Sequence, residues 1–569
     1  MRKITKQIYV GALIALVALF STQAIGQSAI YSSQSVHHPI ISRTGMVSTQ
    51  HHIASEIGAD ILTKGGNAVD AAVAIGFALA VVLPRAGNIG GGGFMLLHLK
   101  DRNITRAIDY REVAPLGARR DMYLDEDGEV DDKLFNSSYQ SIGVPGTVAG
   151  LIYALETYGS LPLKDVIKPA IKLAQKGFPL TDNLADVLVK YRERMTVSQS
   201  TKEIFYKANN APYEAGDILI QKDLAKSLKV ICKKGRDGFY NSELTAKIVS
   251  DVQSHGGLLS REDFREYTVR DVEPVTGTYR GYDIHSMPPP SSGGVHIIQM
   301  LNMLEILLSE DVLYGSAEYY HVLAEVMRLA YADRSAHLGD PAFWEIPIVG
   351  LTAKAYAQDL VEMISDTARA SDTVLPGKPQ KYESEETTHF SVVDNFGNAV
   401  SNTYTLNFSF GTGLVAKGTG ILLNNEMGDF AAKPGASDAY GLIGGVANVV
   451  EPYKQPLSSM TPTIVLQDNK PVLVTGSPGG SRIITTVLQI IMNVIDHNMN
   501  IAEATHAPRI HHQWYPDKLF YENGLSIDTR NLLSGKGHIL QQRPAMGSTQ
   551  SIMIRNGLLY GASDPRRPD

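Results

Sequence analysis

The chain has 569 residues, of which 44% are hydrophobic and 20% are charged, as is typical of a folded globular protein. Its net charge of -7 and pI near 6.2 give no reason to expect nucleic acids or an anionic membrane surface as partners. A small anionic substrate needs only a local cluster of arginines and donors, so this charge does not exclude one. We expect no nucleic-acid partner.

The N-terminal segment differs from the rest of the chain. Arg2, Lys3 and Lys6 precede an uncharged apolar stretch from Ile8 to Phe20, and small and polar residues follow. This order is typical of an export signal, and the stretch is short for a membrane span. We predict a signal peptide at residues 1–26 and a periplasmic or secreted protein with no membrane partner after its removal. The alternative is an uncleaved N-terminal membrane anchor.

Helical patterns dominate the next part of the chain. Two helices are predicted between residues 55 and 84, separated by Gly65-Gly66 and ended by Pro84. A glycine-rich turn, "GNIGGGG", leads into an apolar strand, and "AIDYREVAP" predicts a second strand. A helix is predicted after Pro145, and further helices are predicted at 164–176, 222–233, 317–337 and 353–365.

The sole cysteine, Cys232, closes one of these helical patterns. A single cysteine cannot form an internal disulfide, so an exported chain of this kind depends on core burial for its stability. The apolar pattern before Cys232 favours a buried structural thiol over a nucleophile.

Strand patterns dominate after residue 387. The polar segment 366–386 contains two prolines and no apolar periodicity, which predicts an exposed, mobile loop. It is followed by two predicted strand pairs, 388–393 with 399–406 and 462–467 with 471–475, and then by one apolar helix. Helices before strands predict layers of α and β structure with the sheets in the middle.

The first strand pair carries an unusual polar face. If its turn is centred on Phe396, Thr387 lies opposite Thr405 and Ser391 lies opposite Ser401, with Cβ atoms about 4.5–5.5 Å apart. Strand alternation then gathers the polar side chains on one face, opposite an apolar one. The alternative is an edge hairpin whose polar face is solvated. The polar face consists of Thr387, His389, Ser391, Ser401, Thr403, Thr405 and Asn407.

Thr387 lies where the polar loop meets this strand, which suggests a switchable nucleophile. A threonine hydroxyl is a poor nucleophile unless a base accepts its proton. Cleavage of the Glu386–Thr387 bond would give Thr387 a free α-amine with a pKa of about 8, close to working pH. We predict that cleavage at this bond activates the protein.

The chain resembles the γ-glutamyltranspeptidase family from about residue 45 to its C-terminus. The first part contains "GGNAVDAAVA", "GNIGGGGFML", "DYREVAP", "GVPGTVAG" and "PPPSSGG". The second part contains "TTHFSVVDNFGNAVSNTYTLN", "GILLNNEMGDF", "PLSSMTPTIV", "VTGSPGGSRIITTVLQ", "APRIHHQW", "MGSTQSIM" and "YGASDPR". So many motifs in the family's order make a chance similarity implausible.

The resemblance implies an α+β fold of the N-terminal nucleophile hydrolase type, a four-layer αββα sandwich with a helix-rich large-subunit part. It implies self-cleavage at Glu386–Thr387 into a large subunit, 27–386, and a small catalytic subunit, 387–569, which together form one sandwich. Thr387 is then the nucleophile, and Thr405 supports it.

The resemblance also assigns roles to residues around the nucleophile. Gly479 and Gly480, just before an apolar helix, become an oxyanion hole; without the resemblance a plain strand-to-helix turn is equally plausible. Arg111 holds the α-carboxylate of the substrate with the hydroxyls of Ser458 and Ser459. The substrate's α-amine is held by Asn407, Glu426 and Asp429, and Tyr440 covers the pocket as part of a lid loop at 433–452.

These features imply a γ-glutamyltranspeptidase that hydrolyses glutathione and other γ-glutamyl compounds or transfers their γ-glutamyl group to amino acids or peptides. We predict no cofactor and no catalytic metal, because the His51-His52 and His511-His512 pairs lack metal-ligand spacing with an acidic partner. The alternatives are a β-lactam (glutaryl-type) acylase of the same fold and a non-catalytic scaffold that binds γ-glutamyl compounds or amino acids.

Overall fold

Two antiparallel sheets form the centre of the molecule. The computed structural model describes residues 35–309, 312–379 and 388–567. One apolar cluster, which includes Phe94, Met287 and Val474, fills the space between the sheets. Two larger clusters pack the outer faces of the sheets against helices. The order of layers is therefore helix, sheet, sheet, helix, as predicted.

The first sheet has six strands and contains the hairpin predicted after residue 387. In spatial order the strands are Gly45–Ser48, Thr388–Asp394, Ala399–Thr405, Gly92–Leu99, Ile104–Tyr110 and Arg270–Val272.

The second sheet has seven strands, in the order Ile40–Ser42, Leu558–Ser563, Gln550–Arg555, Lys470–Thr475, Thr463–Gln467, Tyr282–Ser286 and Val275–Tyr279. Within the described ranges, three small sheets lie outside this pair. Their strands are Phe178–Pro179 with Ile218–Leu219, Val415–Ala416 with Ile421–Leu422, and Ile510–His511 with Leu519–Glu522 and Leu540–Arg543.

The hairpin has the register predicted from its sequence, but its polar face is not solvated. Ser391 lies opposite Ser401, and Thr388 lies opposite Tyr404. Strand Ala399–Thr405 is an inner strand, and its polar side chains are buried against the second sheet. The Ser401 Oγ donates a hydrogen bond to the carbonyl of Thr475 at 3.0 Å. The alternative of a solvated edge hairpin is therefore wrong, because the second sheet satisfies these hydroxyls.

Helices cover both sheets. The main helices against the first sheet are His52–Thr63, Ala68–Val82, Thr147–Tyr158, Leu163–Lys176, Lys222–Lys234 and Glu243–Ser254. Those against the second sheet are Gly293–Leu307, Ala317–His337, Lys354–Val361, Arg482–Ile495, Ile501–His506 and Ile527–Gly535. Shorter helices span Asp132–Ser137, Asp182–Lys190, Arg192–Met195, Gln199–Phe205, Asp237–Tyr240, Arg261–Glu266 and Ile348–Leu351. Single 3-10 turns lie at Tyr139–Ser141, Ser371–Thr373, Glu426–Asp429 and Val446–Asn448.

Several local predictions need correction. The segment predicted as an exposed loop is anchored at Ser371, which is buried and whose Oγ donates a hydrogen bond to the carbonyl of Trp514 at 2.6 Å. Cys232 is half-buried, not buried, because it lies near the end of its helix. The helix predicted at 353–365 ends at Val361. In the described ranges, no helix is both long and apolar enough to cross a bilayer.

Candidate active site

The predicted reaction centre lies at the end of the hairpin. Thr405 is the last residue of its strand, is buried, and accepts a hydrogen bond through Oγ1 from the N–H of Asn407 at 2.8 Å. Thr388, the residue directly after the predicted nucleophile, pairs with Tyr404, the residue directly before Thr405. Thr387 itself lies outside the described residues, so its contact with Thr405 stays a prediction.

The glycine pair forms a tight turn before helix Arg482–Ile495. Gly479 and Gly480 have φ angles of 144° and 67°, which favour glycine because other residues rarely adopt them. Neither N–H donates a hydrogen bond to any described residue. Together with Thr405, the two glycines line a cavity of about 400 Å³. An oxyanion hole requires donors that are free to bind a ligand, and the N–H groups of these two cavity-lining glycines meet that condition.

Arg111 is brought together with both acidic residues predicted at the substrate site. It follows strand Ile104–Tyr110 directly and is fully buried. Its Nη1 donates to Glu426 and its Nη2 donates to Asp429, the latter at 2.6 Å. Glu426 and Asp429 lie on one 3-10 turn, which presents both carboxyls to the guanidinium.

The remaining donors of Arg111 limit how it can bind a substrate carboxylate. Nε donates to the carbonyl of Pro456 at 3.2 Å, and Nη2 also donates to the carbonyl of Leu457 at 3.1 Å. A guanidinium has five N–H groups, so a single one on Nη1 is left. Arg111 can therefore donate two hydrogen bonds to a substrate carboxylate only if Glu426 or Asp429 leaves the guanidinium and pairs with another cation.

A third carboxyl, that of Glu112, adds to the crowding of acidic groups around Arg111. Glu112 is fully buried, and its Oε2 lies 3.9 Å from Nη1 of Arg111. Burial raises the pKa of Glu112 to about 7 and raises those of Glu426 and Asp429 above their usual values. We call Arg111, Glu112, Glu426 and Asp429 the head-group cluster. Three buried carboxyls share the guanidinium of Arg111, and Arg334 is a second positive charge near Asp429. The carboxyls still outnumber the cations, so a bound ammonium would be favourable here.

The two predicted serines differ in their contacts. The N–H of Ser458 donates to the carbonyl of Pro290 at 3.0 Å, and its Oγ accepts a hydrogen bond from the N–H of Met460 at 3.3 Å. The Oγ of Ser459 is buried and has no hydrogen-bond partner in the described part of the chain. The Ser459 hydroxyl is therefore unpaired, whereas that of Ser458 already accepts one hydrogen bond but can still donate to a ligand.

Tyr440 contacts the residue that the resemblance assigns to the substrate's amine. Its hydroxyl donates a hydrogen bond to Oδ1 of Asn407 at 2.8 Å, and its ring packs edge-on against Phe408 with centroids 5.9 Å apart. Asn407 and Tyr440 line the same cavity as Thr405 and the glycine pair. Asp429 lines a second cavity, of about 380 Å³, under the predicted lid, and Phe408 lines both.

Gln513 connects the predicted lid to the glycine turn. Its Nε2 donates a hydrogen bond to the carbonyl of Tyr440 at 3.0 Å. Its Oε1 accepts one from the Oγ of Ser481, the residue after the glycine pair, at 2.6 Å. The position of Tyr440 is thus tied to that of the turn.

Sequence reasoning missed both Glu112 and Gln513. Each lies inside a motif that signals the family, "DYREVAP" or "APRIHHQW", yet neither carries a role in our sequence-based assignment. A charged residue directly after Arg111 at the end of an apolar strand was the available signal for Glu112. Nothing in the sequence connects Gln513 to Tyr440, because that contact depends on the tertiary fold.

Comparison with known proteins gives a consistent result. The family model described as gamma-glutamyltranspeptidase matches residues 54–569. The chain is 53% identical to the glutathione hydrolase proenzyme of Escherichia coli strain K12 over 539 residues, which cover 94% of this chain and 93% of that protein.

Two solved structures also match the fold. Cephalosporin acylase from Bacillus halodurans superposes with a TM-score of 0.85 at 26% identity, over 96% of this chain and 98% of that one. A chain of Helicobacter pylori gamma-glutamyltranspeptidase superposes with a TM-score of 0.58 at 46% identity, over 59% of this chain and 96% of that one. The αββα fold is therefore confirmed, and the sequence is far more similar to the hydrolase from E. coli than to this acylase.

Proposed function

The chain belongs to the γ-glutamyltranspeptidase family, and we propose that it is a glutathione hydrolase and γ-glutamyl transferase whose nucleophile is Thr387. It is made as a precursor, and cleavage of the Glu386–Thr387 bond frees the α-amine of Thr387. The products are a large subunit, 27–386, and a small subunit, 387–569. Export through residues 1–26 places the enzyme in the periplasm or outside the cell.

The reaction proceeds through an ester on Thr387. The α-amine of Thr387 accepts the proton of its Oγ1 as this oxygen attacks the γ-carbonyl of the substrate. The oxyanion of the tetrahedral intermediate accepts hydrogen bonds from the N–H groups of Gly479 and Gly480. The proton then passes to the departing amine as the C–N bond breaks. Water hydrolyses the ester to release glutamate, or an amino-acid or peptide amine takes the γ-glutamyl group.

The charge balance of the head-group cluster carries this proposal. Three buried carboxyls face the guanidinium of Arg111, with Arg334 as a further positive charge near Asp429. Because the carboxyls outnumber the cations, the cluster favours a ligand that brings an ammonium. A γ-glutamyl group brings this ammonium together with a carboxylate. The ammonium pairs with Glu426 and Asp429 in place of the Arg111 guanidinium. The N–H groups of Arg111 that this frees then donate to the substrate's carboxylate. The hydroxyl of Ser459 donates to the same carboxylate.

The same cluster weighs against a glutaryl-type acylase. A glutaryl group has the carboxylate of a γ-glutamyl group but lacks the ammonium, so its binding would add negative charge beside Glu426 and Asp429 and supply no cation. The remaining alternative, a non-catalytic binding scaffold, makes no use of a free Thr387 amine and needs no chain cleavage.

Mass spectrometry and activity of the purified protein test the proposal together. We expect fragments that begin near Gln27 and at Thr387, with release of p-nitroaniline from γ-glutamyl-p-nitroanilide. Thr387→Ala should leave one uncut chain without activity, whereas the matched Thr388→Ala should be cut and active. An uncut wild-type chain with full turnover, or an active Thr387→Ala, would contradict the proposal.

A further inference from the structure

Four arginines line the cavity that contains the reaction centre. This cavity, of about 400 Å³, is bounded on one side by Thr405, Gly479 and Gly480. The arginines come from four separate parts of the chain and, among the described residues, no carboxylate side chain lines the cavity with them. We call this set the arginine wall: Arg85, Arg194, Arg482 and Arg567.

Three of these guanidinium groups have no anionic partner in the described ranges. Arg194, Arg482 and Arg567 form no ion pair with any described carboxylate at 4.0 Å or less. Arg194 is held in place instead, because its guanidinium lies over the ring of Tyr191, 4.9 Å from the centroid, and donates to the carbonyl of Ser409. A positioned arginine without a carboxylate partner is a donor to an incoming anion.

The electrostatics of the wall also favour an anion. Burial and the nearby charges of Arg85 and Arg482 lower the pKa of Arg567 to about 10, although Asp564, which lies outside the cavity wall, acts in the opposite direction. Burial lowers the pKa of Arg194 as well. Like charges gathered at a partly buried wall repel one another, and a bound anion relieves this repulsion.

The substrate's first carboxylate does not account for this wall. On the proposed function, that group binds at the head-group cluster, where Arg111 lies outside the arginine-lined cavity. Phe408 lines both this cavity and the one that contains Asp429, so a substrate passing it can present a different end to each. The scissile amide then lies by Thr405 and the glycine pair, and the part of the substrate beyond it enters the arginine-lined cavity.

We propose that the arginine wall binds the carboxylate at the far end of the leaving group or of the acceptor. This inference rests on the proposed function and adds the subsite that recognises the free carboxylate of the leaving peptide, or of an amino-acid or short-peptide acceptor. A dipeptide leaving group reaches about 7 Å beyond the scissile nitrogen, a span that a cavity of this size accommodates. The head-group cluster thus recognises the γ-glutamyl group, and the arginine wall recognises the negative charge at the other end of the substrate or on the acceptor.

The deciding experiment compares glutathione with its C-terminal amide, which differs only in the terminal charge. In the wild-type enzyme kcat/KM should be about tenfold or more higher for glutathione, since a hydrogen-bonded charge is lost in the amide. Arg194→Gln and Arg482→Gln should each bring this ratio toward one. The matched control is Arg192→Gln, two residues from Arg194 on the same helix, exposed and outside the cavity wall, and it should keep the wild-type ratio.

Each outcome is decisive. A wild-type ratio near one overturns the inference even when both substrates are turned over, and it leaves the proposed function intact. The same holds if the variants keep the wild-type ratio, which would assign the arginines to the oxyanion or to folding. If a variant is not cut into subunits, the wild-type comparison still decides. Failure to turn over any γ-glutamyl substrate would overturn the proposed function instead, and this inference with it.

Discussion

The head-group cluster and the arginine wall differ in both burial and charge. The cluster holds one cation against three carboxyls and is fully buried. The wall has four cations, no described carboxylate, and side chains that are partly exposed except for that of Arg85. The cluster has an excess of carboxyls and the wall has an excess of arginines, and both lie near one reaction centre. Together they therefore select a substrate with a positive charge at one end and a negative charge at the other. Variants that change one side at a time test this contrast.

The largest effect is expected from removing the single cation of the cluster. Arg111→Gln leaves three buried carboxyls without a guanidinium, which should lower the free energy of unfolding by about 3–5 kcal/mol. It should also lower kcat/KM for γ-glutamyl-p-nitroanilide more than about 100-fold, since hydrogen bonds to the substrate's charge are lost.

A control for this variant lies on the preceding strand. Arg106 pairs with Asp271 at 2.7 Å, but its side chain is 24% exposed. Chemical unfolding of Arg106→Gln should show a loss within about 1 kcal/mol. If both variants lowered the free energy of unfolding by the same amount, the buried ion pairs of Arg111 would contribute no more to stability than the partly exposed pair of Arg106.

Neutralising one carboxyl should weaken substrate binding. Asp429→Asn removes a negative charge that we assign to the substrate's ammonium, so KM for γ-glutamyl-p-nitroanilide should rise about 30-fold. The matched variant is Asp438→Asn, under the same lid, where burial already raises the pKa of the carboxyl to about 7. The new amide oxygen would still accept hydrogen bonds from Tyr440 and Leu442, so KM of this variant should change less than about threefold. Similar KM values for the two variants would contradict the assigned role of Asp429.

The third prediction concerns the proton on Glu112. Burial raises its pKa from 4.5 to about 7, so between these values the folded state keeps a proton that the unfolded state has lost. This contribution to stability is complete below pH 4.5 and disappears as the pH rises through 7.

Glu112→Gln should therefore lose less stability than the parent between pH 4.5 and 7.5, by about 3 kcal/mol. Urea unfolding in the Thr387→Ala background, in which we expect the chain to stay whole, would measure this difference. Parallel pH profiles for the parent and the Glu112→Gln variant would show that Glu112 is not protonated in the folded protein.

The smallest effect is expected at the predicted lid. Tyr440→Phe removes the hydrogen bond to Asn407 but keeps the ring packed against Phe408. The loss of one such bond is about 1 kcal/mol, so KM should rise about fivefold while kcat changes little. Tyr440→Ala removes the ring as well and should have the larger effect. If the two variants behave alike, the hydroxyl rather than the ring is the important contact.

The sequence was sufficient for much of the fold because periodic patterns report local structure. The hairpin register followed from its turn and alternation, and helices such as Ala317–His337 followed from apolar periodicity and their termini. The burial of the hairpin's polar face did not follow, because alternation alone cannot tell a solvated face from one that a second sheet covers. The anchoring of Ser371 by Trp514 was missed for a similar reason, since its partner is distant in sequence.

For the candidate site, too, the sequence predicted which residues take part but not how they contact one another. The family motifs brought Arg111, Glu426 and Asp429 into one predicted site, and the structure places them in direct contact. The motifs did not show that the guanidinium is already paired with both carboxyls, nor that Glu112 joins them. The arginine wall could not be predicted either, because its four members are far apart in sequence and only the fold brings them to one cavity.

The central claim is that the head-group cluster needs an ammonium, and one pair of substrates tests it directly. Wild-type kcat/KM should be measured for γ-glutamyl-p-nitroanilide and glutaryl-p-nitroanilide, which differ only in the α-amino group. Our account predicts a preference of about 1,000-fold or more for the γ-glutamyl compound, since a site built for a polar group rejects an analogue without it. Equal rates on the two compounds would contradict it.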